Sequence, residues 1–181
     1  MSSTTSKPMA TLGIVIAVVS LALDQLSKFI VVEKVMRPEG VIETPFYTDK
    51  LIEVFSFFQL RMAWNTGISF SLFNGVDANV TAAVQIIVTC VVIWWLRQMD
   101  RPYLQAACGL IIGGAVGNIV DRLMFGAVAD FLDFYWGTWH FPTFNVADCC
   151  INVGAGMWLL DAVLARPQAT DTKDSTKDSA S

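Results

Sequence analysis

Four unbroken apolar runs, each close to the ~20 residues that a helix needs to cross the hydrocarbon of a bilayer, constrain this chain more than any other feature. A backbone inside lipid must satisfy its own hydrogen bonds, so runs of this length predict transmembrane helices. They fall at about 11–32, 78–96, 104–123 and 145–165. Composition points the same way: 54% of the 181 residues are hydrophobic and 15% charged, against roughly 45–50% apolar in soluble domains. The first run, TLGIVIAVVSLALDQLSKFIVV, outlasts the apolar stretch of about 7–15 residues in a secretory signal and carries Asp24 and Lys28, so it is read as a retained helix. The net charge of −4 comes with no basic stripe, which gives no reason to expect a nucleic-acid partner. Cys90, Cys108, Cys149 and Cys150 lie in or beside the apolar segments with no CxxC or Cys/His spacing, and read as small buried hydrophobes rather than metal ligands.

The segments between the runs differ in kind. From Glu33 to Val76 the chain is mixed, and Ile52, Val54, Phe58, Leu60 and Met62 fall at alternate positions against Glu53, Phe55, Phe57, Gln59 and Arg61, the period of a β-strand. Ile68, Phe70 and Leu72 alternate with Ser69 and Ser71 after the Asn65-Thr66-Gly67 turn signal, so a folded β-rich loop is predicted over about 41–73. Asp77 is a candidate N-cap for the second helix. In the third helix Gly109, Gly113, Gly114 and Gly117 predict close helix contact. A second loop, 124–143, carries Trp136, Trp139 and the only histidine, His140, for which an interfacial role is expected. Residues 1–10 and 167–181 are polar tails, the latter expected to be disordered, flanking a single membrane domain over 11–166. Lys7, Arg97, Arg101 and Arg166 lie on one side of four spans, and the excess of positive charge places that side, with both termini, in the cytoplasm. Both larger loops then face outward.

Ionisable groups inside spans are costly, about 2.5–3.5 kcal/mol on insertion scales, and by default mark function. Here they gather at one depth, with Asp24 toward the outer end of the first helix, Asn118, Asp121 and Arg122 at the outer end of the third, and Asn145 and Asp148 opening the fourth. Asp24 and Lys28 are i and i+4, while Asn118–Asp121 and Asn145–Asp148 are i and i+3, so each pair shares a helix face. For Asp24 with Lys28, and for Asp121 with Arg122, the simpler expectation is a helix-end ion pair snorkelling outward. Asp130 and Asp148 fit that expectation less well. Asp130 lies in the otherwise apolar and aromatic run 128–134, and if that run returns to the bundle the two carboxyls can meet, share one proton and activate water without a metal or other cofactor.

The chain resembles the lipoprotein signal peptidase (signal peptidase II) family of bacterial membrane aspartic peptidases. Five motifs carry the resemblance in order: Asp24-Gln25 with Lys28, Asn65-Thr66-Gly67-Ile68-Ser69-Phe70-Ser71, Gly117-Asn118-Ile119-Val120-Asp121-Arg122, Val128-Ala129-Asp130-Phe131, and Phe144-Asn145-Val146-Ala147-Asp148. The resemblance implies a four-transmembrane-helix bundle, mainly α, with a small extracytoplasmic β-rich cradle between helices 1 and 2. It implies Asp130 and Asp148 as the catalytic dyad, Asn65, Asn118, Arg122 and Asn145 as groups that support the dyad or bind substrate, and Asp24, Lys28 and Asp121 as structural polar residues. The substrates it implies are diacylglyceryl-modified prolipoproteins, cut on the amino side of the lipobox cysteine at the periplasmic face of the bacterial inner membrane. Contact with membrane lipids and inhibition by cyclic peptides such as globomycin are further expectations. Ile68-Ser69, where the family commonly has two alanines, and Cys149-Cys150, where small or hydroxyl residues are common, are departures.

Two other functions use similar residues. A proton-coupled transporter or channel subunit also keeps acids in its bundle, but near the midplane and commonly with inverted repeats, which are not visible here. A metal-dependent phosphotransferase would gather Asp121, Asp130 and Asp133 around Mg²⁺, yet no glycine-rich phosphate site or DxxDG spacing accompanies them.

Overall fold

The computed structural model describes residues 10–40, 50–67 and 78–164. Among these described residues, four helices are long and apolar enough to cross a membrane: Thr11–Met36, Asn79–Leu96, Pro102–Phe125 and Val146–Leu164. Helix α1 (Thr11–Lys28) continues as a π-helical stretch, Phe29–Met36, which carries the first span past its expected end at residue 32. Helices α2 (Ala78–Leu96), α3 (Pro102–Phe125) and α4 (Val146–Leu164) agree with the hydropathy boundaries to within two residues. Pro102 opens α3, where its missing N–H costs nothing, and Gly126 closes it at φ 73°, a left-handed position suited to glycine.

Helix α3 is the axis of the fold. It packs against α1, α2 and α4, while those three turn apolar side chains outward: Val18 is 61% exposed, Ile87 63% and Val163 72%. In water such faces would be a liability; in lipid they are the expected surface. The close approaches are made by glycines, as predicted. A Cβ on Gly109 or Gly113 would overlap the backbone of α1 at Gly13 or Ala17, and one on Gly114 would overlap that of α4 at Ala147. Gly117, on the same face as Gly113, makes room for the Asp24 carboxylate.

The remaining elements form one antiparallel sheet of order β1-β2-β3-β4, from β1 (Leu51–Phe55), β2 (Phe58–Asn65), β3 (Val128–Trp136) and β4 (Trp139–His140). The alternation over 52–62 is thus two strands turning at Ser56-Phe57. Strand β3, which follows α3 and precedes α4, was not anticipated. It aligns Ala63 with Asp130 and Asn65 with Val128. Phe144 closes the far side by pairing with Leu132, its N–H donating to the Leu132 carbonyl at 3.1 Å. Val32 and Met36 of the π-helical stretch pack with Met62, Ala129 and Phe131 to join sheet and helices. The alternation at Ile68, Phe70 and Leu72, the Asp77 cap, Lys7, Arg166 and both polar tails lie outside the described residues.

Candidate active site

Helix α4 begins in a reciprocal cap. The Asn145 side-chain oxygen accepts the Asp148 N–H at 3.0 Å, and the Asp148 carboxylate accepts the Asn145 N–H at 3.2 Å. This is the capping-box arrangement with aspartate in the glutamate position, and it fixes both side chains to the helix end. Asp24 of α1 reaches the same end, accepting the Ala147 N–H at 2.9 Å, where the helix dipole favours a negative charge.

Asn145 then ties the two candidate carboxylates together. Besides its backbone bond to Asp148, it donates from Nδ2 to Asp130 Oδ1 at 2.7 Å. Asp130 Oδ2 accepts from Asn65 Nδ2 at 3.2 Å, and Asp148 Oδ1 from Asn118 Nδ2 at 2.9 Å. Strand β3 and helix α4 therefore bring Asp130 and Asp148 into one network. Asp130 is only 3% exposed. Burial, and then the neighbouring negative charge of Asp148, push its carboxyl up to about 7, against the pull of the Asn65 and Asn145 donors and of Lys28. An aspartic acid in that range can hold a proton at neutral pH and release it during a reaction.

Beside this pair lies a second cluster. Lys28 Nζ contacts Asp24 Oδ2 and Asp121 Oδ2, each at 2.8 Å, and donates to Asn118 Oδ1 at 3.1 Å. Gln25 also donates to Asp24 and Asp121. The ion pair of Asp24 with Lys28 is present but buried, so neither side chain snorkels outward. The expected pair of Asp121 with Arg122 does not form. Neighbours in sequence point apart around a helix, and Asp121 turns toward α1, where it also accepts the Ala129 N–H at 3.2 Å. Arg122 turns the other way and donates to the side chain of Gln85 on α2 and to the Gly67 carbonyl, both at 2.9 Å. Asn65 caps that turn by accepting the Gly67 N–H at 3.1 Å, so Arg122 braces the segment that carries an Asp130 partner.

All nine residues singled out in the sequence thus fall within one connected layer. Gln85 was missed; a glutamine inside an apolar span was the available signal. Asp133 was considered only as a partner in a metal cluster with Asp121 and Asp130, but the three carboxylates face different groups. Asp133 is fully buried between Gln59 Nε2, at 2.6 Å, and His140 Nδ1, at 3.0 Å. His140 is accordingly engaged with the sheet. A groove of about 480 Å³ opens beside Asp148, walled by Phe141, Phe144, Cys149, Ile151 and Val153.

Residues 16–164 match the family model described as Signal peptidase (SPase) II. The lipoprotein signal peptidase of Symbiobacterium thermophilum is 38% identical over 161 residues, covering 88% of this chain and 99% of that relative. The lipoprotein signal peptidase of Vibrio cholerae is 42% identical over 123 residues, covering 65% of this chain and 72% of the relative. A bacterial membrane enzyme solved by the in meso method superposes with a TM-score of 0.72 at 22% identity, covering 97% of this chain and 98% of that one, a likeness of fold. With the family model spanning all four helices and the sheet, and a relative of that identity matched almost end to end, the chain belongs to the signal peptidase II family.

Proposed function

We propose that this member of a peptidase family is an aspartic endopeptidase that removes signal peptides from diacylglyceryl-modified prolipoproteins, cutting on the amino side of the lipobox cysteine, with Asp130 and Asp148 as its catalytic pair. The observation that carries the reading is the joining of these two carboxylates by Asn145, with amide groups rather than a cation as their hydrogen-bond partners, and with Asp130 pushed up to about 7. In this reading Asp130 holds the proton the pair shares. Asp148 takes a proton from water as the water oxygen bonds to the scissile carbonyl carbon, and protonated Asp130 donates to the carbonyl oxygen. The tetrahedral intermediate then collapses as the C–N bond breaks: the proton held by Asp148 passes to the departing amine, and a hydroxyl proton of the intermediate returns to Asp130, which restores the pair.

Asn65, Asn118 and Asn145 keep the two carboxylates oriented, and Arg122 holds the turn that presents Asn65. A substrate anchored by acyl chains suits a site at the ends of membrane helices. The apolar groove beside Asp148, and the row of rings Phe57, Phe134, Phe144 and Phe141, spaced by centroids 5.8–6.4 Å apart, offer surfaces for such chains. The sheet then serves as an extracytoplasmic cradle over the bilayer of the bacterial inner membrane, with both termini in the cytoplasm. The transporter alternative gains no support from the family or its members.

The deciding experiment is cleavage of a diacylglyceryl-modified prolipoprotein by purified protein in detergent with a chelator present. Wild type should cleave, and Asp130→Asn and Asp148→Asn should each lose about 10⁴-fold in kcat, as removal of a reacting group does. Undiminished cleavage by either variant sinks the pair. Titration with globomycin checks the groove separately, since a family-like groove should be inhibited at saturating dose.

A further inference from the structure

We infer that Lys28 is a positioning residue for Asp148, acting across the helix interface through the side-chain amide of Asn118. The inference rests on the reading of Asp148 as catalytic. An ammonium group has three donors and no acceptor. All three of Lys28 have partners, namely Asp24 Oδ2, Asp121 Oδ2 and Asn118 Oδ1. Only the oxygen of an amide can face such a group, so Lys28 dictates which way round the Asn118 amide sits. Asn145 Nδ2 donates to the same oxygen at 3.2 Å and secures that orientation.

With its oxygen held, Asn118 must present Nδ2 to Asp148, and it does so at 2.9 Å. Were the amide free to turn over, an oxygen would confront the carboxylate and the donor would be lost. The two carboxylates bound to Lys28 hold the ammonium in place: Asp121 is fixed by the Ala129 N–H, and Asp24 by the Ala147 N–H at the start of α4, next to Asp148 itself. Lys28 thus has a consequence for the reacting geometry that an ion pair between two helices need not have. Gln25 separates the two roles. It donates to Asp24, to Asp121 and to the Gly117 carbonyl, but not to Asn118.

The test compares Lys28→Met with Gln25→Leu in prolipoprotein cleavage, with folding followed by circular dichroism and thermal unfolding in detergent. Loss of one hydrogen bond to a charged group predicts that Lys28→Met lowers kcat by about 10–100-fold, with KM within about twofold of wild type. Gln25→Leu should lower the unfolding temperature and leave kcat unchanged. Lys28→Met leaves two buried carboxylates without their cation, so Lys28→Met combined with Asp121→Asn serves as the second variant and should show the same loss of kcat. Unchanged kcat in folded Lys28 variants overturns the inference. So does a loss of kcat in Gln25→Leu that scales with its loss of stability, or failure of both Lys28 variants to fold, which assigns Lys28 to stability alone. Asp148→Asn in the same assay reports on the catalytic pair independently, because activity in that variant removes the pair whatever Lys28→Met does.

Discussion

Asp24 and Asp121 on one side, and Asp130 and Asp148 on the other, are four acids within one layer of one small protein, and they are held by opposite means. The first two are buried around a lysine, with the Ala147 N–H at the start of α4, the Ala129 N–H and the Gln25 side chain as their other donors. The other two are held by asparagine amides and a backbone N–H, with no salt bridge to either among the described residues. A carboxylate matched by a cation has its charge balanced by a fixed neighbour. A buried one held by neutral donors beside a second acid is poised to exchange a proton, as the position of Asp130 near 7 illustrates. Identical side chains thus acquire different work from their neighbours, and Asn118 joins the two groups by contacting Lys28 on one side and Asp148 on the other.

The comparison breaks most readily at Asp24. Asp24→Ala leaves Lys28 short of a partner and uncaps the Ala147 N–H, and should destabilise the protein by about 3–5 kcal/mol, the usual consequence of breaking a buried ion pair. Asp130→Asn keeps one acceptor oxygen, sets its amide nitrogen against either the Asn65 or the Asn145 donor, and leaves no buried cation unpaired, so it should change stability less than Asp24→Ala while abolishing cleavage. Thermal unfolding of the two variants in one detergent measures the contrast, and equal losses of stability would show that both pairs are structural.

A smaller effect is expected at Gln85, which accepts from Arg122 and so reaches Asp130 only through Arg122, Gly67 and Asn65. Gln85→Leu removes one charge-assisted hydrogen bond and should lower kcat/KM by about tenfold, with a loss of stability of about 1–3 kcal/mol, smaller than that of Asp24→Ala. Full activity in that variant would mean that the Gly67 contact alone holds Arg122 in place.

The spans were legible because the bilayer fixes their length, and the polar layer because charges in apolar helices stand out. The meeting of Asp130 with Asp148 was inferred from an acid placed in an apolar run that had to return to the bundle. Strand β3 itself was hidden because Val128, Ala129, Asp130 and Phe131 are all buried, which erases the two-residue alternation that marks a half-exposed strand. Buried Gln59, grouped in sequence with exposed Phe57 and Arg61, is explained by Asp133, its partner across β2 and β3. Spacing along one helix predicted the link of Lys28 to Asp24, but only packing of α1 against α3 adds Asp121 and Asn118, and the same packing sends Arg122 toward α2. Local periodicity carries no information about which neighbouring helix a face will meet.

A last effect concerns pH, and it turns on Asp130. Because burial raises the Asp130 carboxyl to about 7 from an unfolded value near 3.8, the folded chain binds more protons than the unfolded chain between those limits. Stability from this group is therefore fully present below about pH 4 and declines as pH rises toward 7, becoming level above it. Asp130→Asn lacks the titration, so the difference in unfolding temperature between wild type and the variant should shift steadily in the variant's favour across that window and then become constant. The same proton sets the activity of wild type: if protonated Asp130 donates to the scissile carbonyl oxygen, cleavage should fall away as pH rises above about 7. Wild type and variant with parallel unfolding curves from pH 4 to 8, together with cleavage undiminished on the alkaline side, would place Asp130 with Asp24 and Asp121 among the acids that merely hold the fold together.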